Sequence, residues 1–570
     1  MDRRKIIVIA FLIAVIVVAV AVTAERTWSE LTAPPFSVDQ KITKFDMKSL
    51  EAFAETRSDW ENKYAPDAKG RYKNPKTGEY TMVDADVGGG TVNPVPQTPA
   101  GVLPKPGTGT RPGARGRQAM AAASDESLLS ALAIGPARPP PAIKYNLLVI
   151  SIDTCRADHL KCYGYKKDTS PHLDQLAKEG VLFEDVTAAA SWTVPSHMSM
   201  FTSLYPSVHG VQNRLEQLSE SAPTLAQCLA KSGYATAAFV TGPVLNRFFG
   251  FNRGFQLYDD FTVSPIFLKR GGINNVVTDP LITNLATQWL QKHSRENFFL
   301  FLHYWDCHND YVPPAPFDKK FDPGYKGKET GRFMFARQDD IIAHISVMDL
   351  AHMVALYDGG IAFTDEHVGK VLQLLQDLGL SEKTLVVVLS DHGEGFLEHG
   401  KLLHCNSLYE EAVHVPLIMR LPGVIPAGKR VAGNVSHVDL LPTVLGLLQA
   451  AGPLNVQGAD LSPAILGDQP VPERLIYSEL KMNGFNLRAI RWGDHKLLGA
   501  MGTLAGAQLE EVADGREKVI ADADLKKDCP EAALRAFTEG PPSVLETRTE
   551  KAIKPDTELL KQLKSLGYTE

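Results

Sequence analysis

The sequence predicts an α/β protein: a mostly parallel sheet sandwiched by helices, with a small C-terminal α+β subdomain. Three observations carry this. From residue 144 onward, continuous apolar runs of strand length recur, among them NLLVISID (146–153) and TLVVVLSDH (384–392). Between the runs lie stretches with helical apolar spacing, such as SPHLDQLAKEG (170–180) and DEHVGKVLQLLQDLG (365–379). Buried strands alternating with amphipathic helices argue for a parallel sheet covered on both faces. Third, several runs end in an aspartate or histidine, and in such folds ligands bind beyond the carboxyl ends of the strands.

The N-terminus sets the address. Three basic residues in MDRRK precede an uncharged run over 6–24. As a helix that run is roughly 28 Å long, close to a bilayer core. Val22 and Ala24 also fit the −3 and −1 positions of a cleavage site, so residues 1–25 read as a membrane anchor or a signal peptide. The length favours the anchor. The bulk of the chain is expected outside the cytoplasm, tethered to the cytoplasmic membrane and facing the periplasm, or secreted.

Residues 26–143 carry no core-like pattern. VGGGTVNPVPQTPAGVLPKPGTGTRPGARGRQ (87–118) reads as a Pro/Gly-rich tether, largely disordered, with one short helix expected near 47–61. Its GTG follows no strand and opens no helix, which excludes a nucleotide loop. A net charge of −7 without a basic stripe excludes a nucleic-acid partner. Six cysteines form no CxxC pair, so a metal site must draw on His, Asp, Glu and hydroxyls.

The body, 144–470, holds the chemistry. Further strands are expected at YATAAFV (234–240), FFLFLHYWD (298–306) and VPLIMRL (415–421), and Gly379 stops the second helix. Asp153 closes one strand, Asp391 and His392 another, and Asp306 and His308 follow a third. Any single aspartate there reads equally well as a helix cap. Two strand-end acids and an adjacent histidine in one sheet favour a metal site. In ASWTVPSHMSM (190–200), Pro195 suits the first helical position, which places Thr193 just outside a helix N-terminus. Thr193 is either a cap or, beside a divalent cation, a nucleophile facing a phosphate or sulfate group.

Taken together, NLLVISIDTCRADHLKCYGY, SPHLDQLAKEGVLFEDVTAAASWTVPSHMSMFTSLYPSVHGV, YDGGIAFTDEHVGKVLQLLQDLGL and VVVLSDHGEGFLEHG resemble the sulfatases of the alkaline phosphatase superfamily over 144–448. The resemblance implies that superfamily's fold and a nucleophile at Thr193, where relatives carry a residue oxidised to formylglycine. Threonine is not converted, so no formylglycine is expected. His197 falls where the family has a bracing arginine. The metal set implied is Asp153, Thr193, Asp391 and His392; its imidazole favours zinc or manganese over calcium.

His308 and His404 fall where the family assists the leaving group, His404 serving as acid or second-metal ligand, and Asp306 is a further candidate for a second metal. His209 is expected to be structural. The family's Lys-x-His pair after YATAAFV is missing, since TGPVLNRFFG stands there. Beyond 470, RLIYSEL, LRAIRWGDHKLLGA and a terminal helix over 556–567 resemble the family's small antiparallel C-terminal subdomain (471–570).

The expected activity is metal-dependent hydrolysis or transfer at a phosphate, phosphodiester or sulfate ester. The anionic substrate would be a glycan, a lipid headgroup or a small molecule. The alternatives are a sulfuric ester hydrolase working without formylglycine and a non-catalytic anion-binding protein of the same fold.

Overall fold

The computed structural model describes residues 145–545 apart from 214–215, 242, 261–276, 333, 335, 454, 514 and 522, together with 71–73 and 80–82. The apolar run at 6–24, most of the tether and the expected helices at 47–61 and 556–567 lie outside the described residues. Among the described residues no helix is long and apolar enough to cross a membrane. The chain divides into two units, Met1–Thr108 and Gly109–Glu570. In the first, the three-residue strands Arg71–Lys73 and Tyr80–Met82 pair antiparallel.

The second unit is built on an eight-stranded sheet. Its strands are β1 (Asn146–Ile152), β2 (Val181–Thr187), β3 (Ala235–Phe239), β4 (Leu257–Asp259), β5 (Phe298–Tyr304), β6 (Thr384–Leu389), β7 (Leu417–Arg420) and β8 (Lys429–Ser436). The spatial order is β8-β2-β7-β6-β1-β5-β3-β4. β1 runs parallel to β5 and β6, and β3 parallel to β4 and β5. Only β7 opposes its neighbours.

The apolar runs form strands because every residue of β1, β5 and β6 is buried, so both faces of these central strands need apolar side chains. Burying each such Leu, Val or Phe contributes about 1.5–3 kcal/mol. A charge at Val387, which pairs with Val149 and Met419, would leave an unpaired ion in this core and break the sheet.

Helices flank the sheet: α1 (Pro171–Glu179), α2 (Thr193–Thr202), α3 (Asp279–His293), α4 (Val347–Asp377) and α5 (Leu440–Leu448). Proline opens α1 after Ser170, and Asp365 of α4 accepts from the free His172 and Leu173 amides of its first turn. α4 extends well upstream of the periodic stretch and stops as expected before Gly379, whose φ of +66° only glycine adopts readily.

A second, five-stranded antiparallel sheet follows: β9 (Ile476–Met482), β10 (Phe485–Trp492), β11 (His495–Ala500), β12 (Gln508–Ala513) and β13 (Arg516–Val519). Against it α6 (Glu531–Glu539) buries Ala533, Ala536 and Phe537 among Ile490, Leu497 and Leu509. β9 fastens this subdomain to the chain beyond β2, the Glu479 amide donating to Ala189 O at 2.9 Å and Ser478 Oγ to Ala188 O at 2.6 Å. The predicted α/β sandwich with a small C-terminal α+β subdomain is the fold observed.

Candidate active site

Parallel register sets the site. Ser151 of β1 stands beside His303 of β5 and Leu389 of β6, so the residues just past these positions emerge together at one sheet edge. Asp153, Asp391 and His392 meet there, each fully buried. Thr154 adopts a left-handed φ of +56°, strained for a β-branched side chain. That turn lets its amide donate to Asp391 Oδ1 at 3.2 Å, which joins the ends of β1 and β6.

Thr193 reaches the same point from α2. The helix begins at Thr193 itself, two residues earlier than the proline suggested, with extended Trp192 as its cap. Pro195 is tolerated inside the first turn, where amides lack helical acceptors anyway. Thr193 Oγ1 lies 3.4 Å from Asp153 Oδ2 and 3.4 Å from His392 Nε2. The hydroxyl therefore faces the acids at the positive end of a ten-residue helix.

The donor chemistry fits a divalent metal. His392 Nδ1 donates to Gly393 O at 2.9 Å, which fixes the tautomer and leaves the Nε2 lone pair facing inward. That nitrogen lies 3.4 Å from Asp391 Oδ2 and 3.8 Å from Asp153 Oδ1. Both of those carboxyl oxygens are buried without a hydrogen-bond partner. Such groups cost several kcal/mol unless a cation or proton meets them. Burial lifts the Asp153 carboxyl from 3.8 to about 7 in the metal-free protein. Ligand atoms of Asp153, Asp391 and His392 all lie within 4.8 Å of one another. These residues would hold the ion.

Two histidines brace this set. His197 Nδ1 donates to Thr193 O at 2.8 Å, which leaves Nε2 to accept from Ser151 Oγ at 2.9 Å. Burial holds it neutral, down at about 4. With both nitrogens engaged, His197 ties the first turn of α2 to β1. His303, which the sequence reading did not single out, places Nε2 3.2 Å from Asp153 Oδ2 and Nδ1 2.7 Å from Thr241 Oγ1. A histidine inside the otherwise apolar run FFLFLHYW was the available signal.

The ring of His404 lies 4.5 Å from that of His392 and 4.9 Å from that of His308. His404 Nδ1 is 3.0 Å from Glu394 Oε1, a fully buried carboxylate that was also missed. Burial raises Glu394 to about 8 and lowers His404 to about 4. His308 stacks on Trp305 at 3.9 Å, donates from Nδ1 to Asn309 O, and keeps a buried Nε2 without a partner. Gly393 allows this loop to lie flat, since a Cβ there would sit 2.0 Å from Glu411 O.

Among the described residues, Asp306 belongs to no group of three potential metal ligands. Its carboxylate accepts from Thr278 N, Thr278 Oγ1 and Asp279 N, so it caps α3. His209 accepts at Nδ1 from the Val211 amide in its turn, as a structural histidine should.

A family model described as Sulfatase matches residues 145–450, more than half of the chain. Arylsulfatase A of Homo sapiens is 28% identical over 413 residues, covering 62% of this chain and 73% of the relative. The uncharacterized sulfatase YidJ of Escherichia coli (strain K12) is 25% identical over 359 residues, covering 55% and 70%. The solved phosphonate monoester hydrolase from Silicibacter pomeroyi shares the fold with a TM-score of 0.58 at 22% identity, over 71% of this chain and 97% of that one. With its strand-end acids and helix-borne hydroxyl on the matched segment, this chain belongs to the sulfatase family.

Proposed function

We propose that this ester hydrolase cleaves phosphate, phosphodiester or sulfate esters with Thr193 as the attacking group. The observation that carries the reading is the placement of Thr193 Oγ1, 3.4 Å from both Asp153 Oδ2 and His392 Nε2 at the start of α2. A divalent ion held by Asp153, Asp391 and His392, with zinc or manganese favoured by the imidazole, would acidify the hydroxyl and offset the negative charge of the ester.

The chain's own residues supply the rest. His197 fixes the carbonyl of Thr193, and with it the aim of the hydroxyl. As Oγ1 bonds to phosphorus or sulfur, it gives up its proton to Asp153 Oδ2, its hydrogen-bond acceptor at 3.4 Å, and the ester oxygen departs. Glu394 and His404 can pass it a proton through the ring's other nitrogen, with His308 beside them. Water, or an acceptor alcohol, then takes the group from Thr193.

The relatives' names span sulfuric and phosphonic esters, so a glycan sulfate, a lipid headgroup phosphate and a small-molecule ester all suit this site. Purified protein assayed on matched aryl sulfate, phosphate and phosphodiester substrates selects among them. In the Thr193→Ala variant turnover on the preferred ester should vanish with the melting temperature unchanged; retained turnover overturns the reading.

The run at 6–24 supports an extracytoplasmic catalytic part (144–470) with its subdomain (471–570), tethered through 26–143. Activity in the membrane fraction for the full chain, and in the soluble fraction for a chain starting at residue 26, is the expected pattern.

A further inference from the structure

A second cluster of acids and a histidine lies where the C-terminal sheet meets the loop after β6. His399 sits on that loop, Glu410 and Glu411 in the short helix Glu410–Val413, and Glu517 on β13. Strand register brings more charge to the same face. Lys496 of β11 pairs with Glu510 of β12, and Glu517 pairs with Val512, two residues along from Glu510. Because side chains alternate along a strand, Lys496, Glu510 and Glu517 all point to one side.

The charges there do not balance. Among the described residues, Lys496 pairs with Glu410 at 3.0 Å and with Glu517 at 3.4 Å, and His399 Nδ1 with Glu411 Oε1 at 3.0 Å. Four carboxylates thus share the Lys496 ammonium, the His399 imidazole and part of the Arg491 guanidinium, which acts on Glu410 but is paired with Asp185 at 2.7 Å. Glu517 also accepts from the Glu410 amide at 2.8 Å. Glu510 is fully buried, and neither of its carboxyl oxygens has a hydrogen-bond partner. It feels the charges of Lys496, Glu517, Glu410 and His399, which places it within the cluster. A buried carboxylate without donors points to a missing positive charge.

We infer that a divalent cation binds at this seam, held by His399, Glu411 and Glu517. Their ligand atoms all lie within 4.8 Å of one another, a spacing that metal–ligand bonds of about 2.0–2.2 Å close with small side-chain shifts. One imidazole with carboxylates suits zinc or manganese better than magnesium. The ring of His399 is held for the purpose by stacking on Tyr409, centroids 4.0 Å apart. Glu510 adds its charge from behind. The ion would staple the C-terminal sheet to the segment whose Glu411 carbonyl accepts from the Glu394 amide at 2.8 Å, and so to the loop that carries His404.

The test is zinc content per chain after loading the full-length protein with zinc alone and desalting it. Wild type, Asp391→Asn, His399→Ala, Glu517→Gln and the Asp391→Asn/His399→Ala double variant are compared. His399→Ala and Glu517→Gln should each hold one equivalent less than wild type. Asp391→Asn should still bind zinc at the seam, and zinc should raise its melting temperature but not that of the double variant. His399 is exposed, so its substitution leaves the fold intact even where Glu517→Gln does not. Equal zinc in His399→Ala and wild type overturns the inference.

Discussion

His404 and Glu394 form a buried pair, Nδ1 to Oε1 at 3.0 Å, one ring away from His392. In the proposed reaction Glu394 fixes the imidazole so that its other nitrogen can serve the leaving oxygen. His404→Ala should lower kcat by about 10²- to 10⁴-fold, most for esters with poor leaving groups. Glu394→Gln keeps the shape but weakens the orientation, and kcat should fall roughly 10- to 100-fold with KM little changed. Steady-state kinetics across a leaving-group series check both; equal losses for good and poor leaving groups count against the proton-transfer role.

Asp153→Asn and His392→Ala each remove a proposed ligand. Metal affinity should drop by at least about 10²-fold, beyond what loss of a ligand's orienting partner costs. Calorimetric titration of the stripped protein reads this directly. Activity should return only at much higher metal concentration.

pH gives an independent check. Burial raises Asp153 from 3.8 to about 7 in the metal-free protein, so below that value a proton competes with the metal. Apparent affinity should rise as pH climbs through about 7, by up to about tenfold per unit for this one proton, and level off above. Without metal the sign for stability is opposite. The fold holds this proton more tightly than the unfolded chain, so the group's contribution to stability falls as pH rises from 3.8 toward about 7. Affinity flat from pH 5 to 8 would contradict the assignment of Asp153.

Asp306→Ala separates a cap from a ligand. It leaves Thr278 N, Thr278 Oγ1 and Asp279 N without their acceptor, at a cost of about 1–3 kcal/mol in denaturant unfolding. Bound metal per folded chain should not change.

The central strands were legible because burial on both faces demands unbroken apolar runs, and the acids at their ends stood out against that background. β8 was not. Of its residues KRVAGNVS only Val431, Val435 and Ser436 are buried at the sheet edge, and no apolar run marks them. The reversed direction of β7 leaves no mark in its composition either.

At the site, Asp153, Thr193, Asp391 and His392 were visible as polar residues at element ends. His303 was hidden because it lies within a strand, where a lone histidine looks like a satisfied core residue. Glu394 was hidden because its partner, His404, is brought back by an antiparallel pairing of only two residues, Gly395 with Leu403 and Phe396 with Leu402, too short to mark the sequence. Asp306 misled for the reason that makes strand-end aspartates ambiguous: the same position serves a helix cap.

The claim that Thr193 is the nucleophile is tested most directly by acid-quenching the enzyme during turnover of its preferred aryl ester and mapping the modified peptide by mass spectrometry. A phosphoryl or sulfuryl group on the peptide at Thr193, absent from Thr193→Ala, is the predicted result. Full turnover by Thr193→Ala with no adduct on any residue would contradict it.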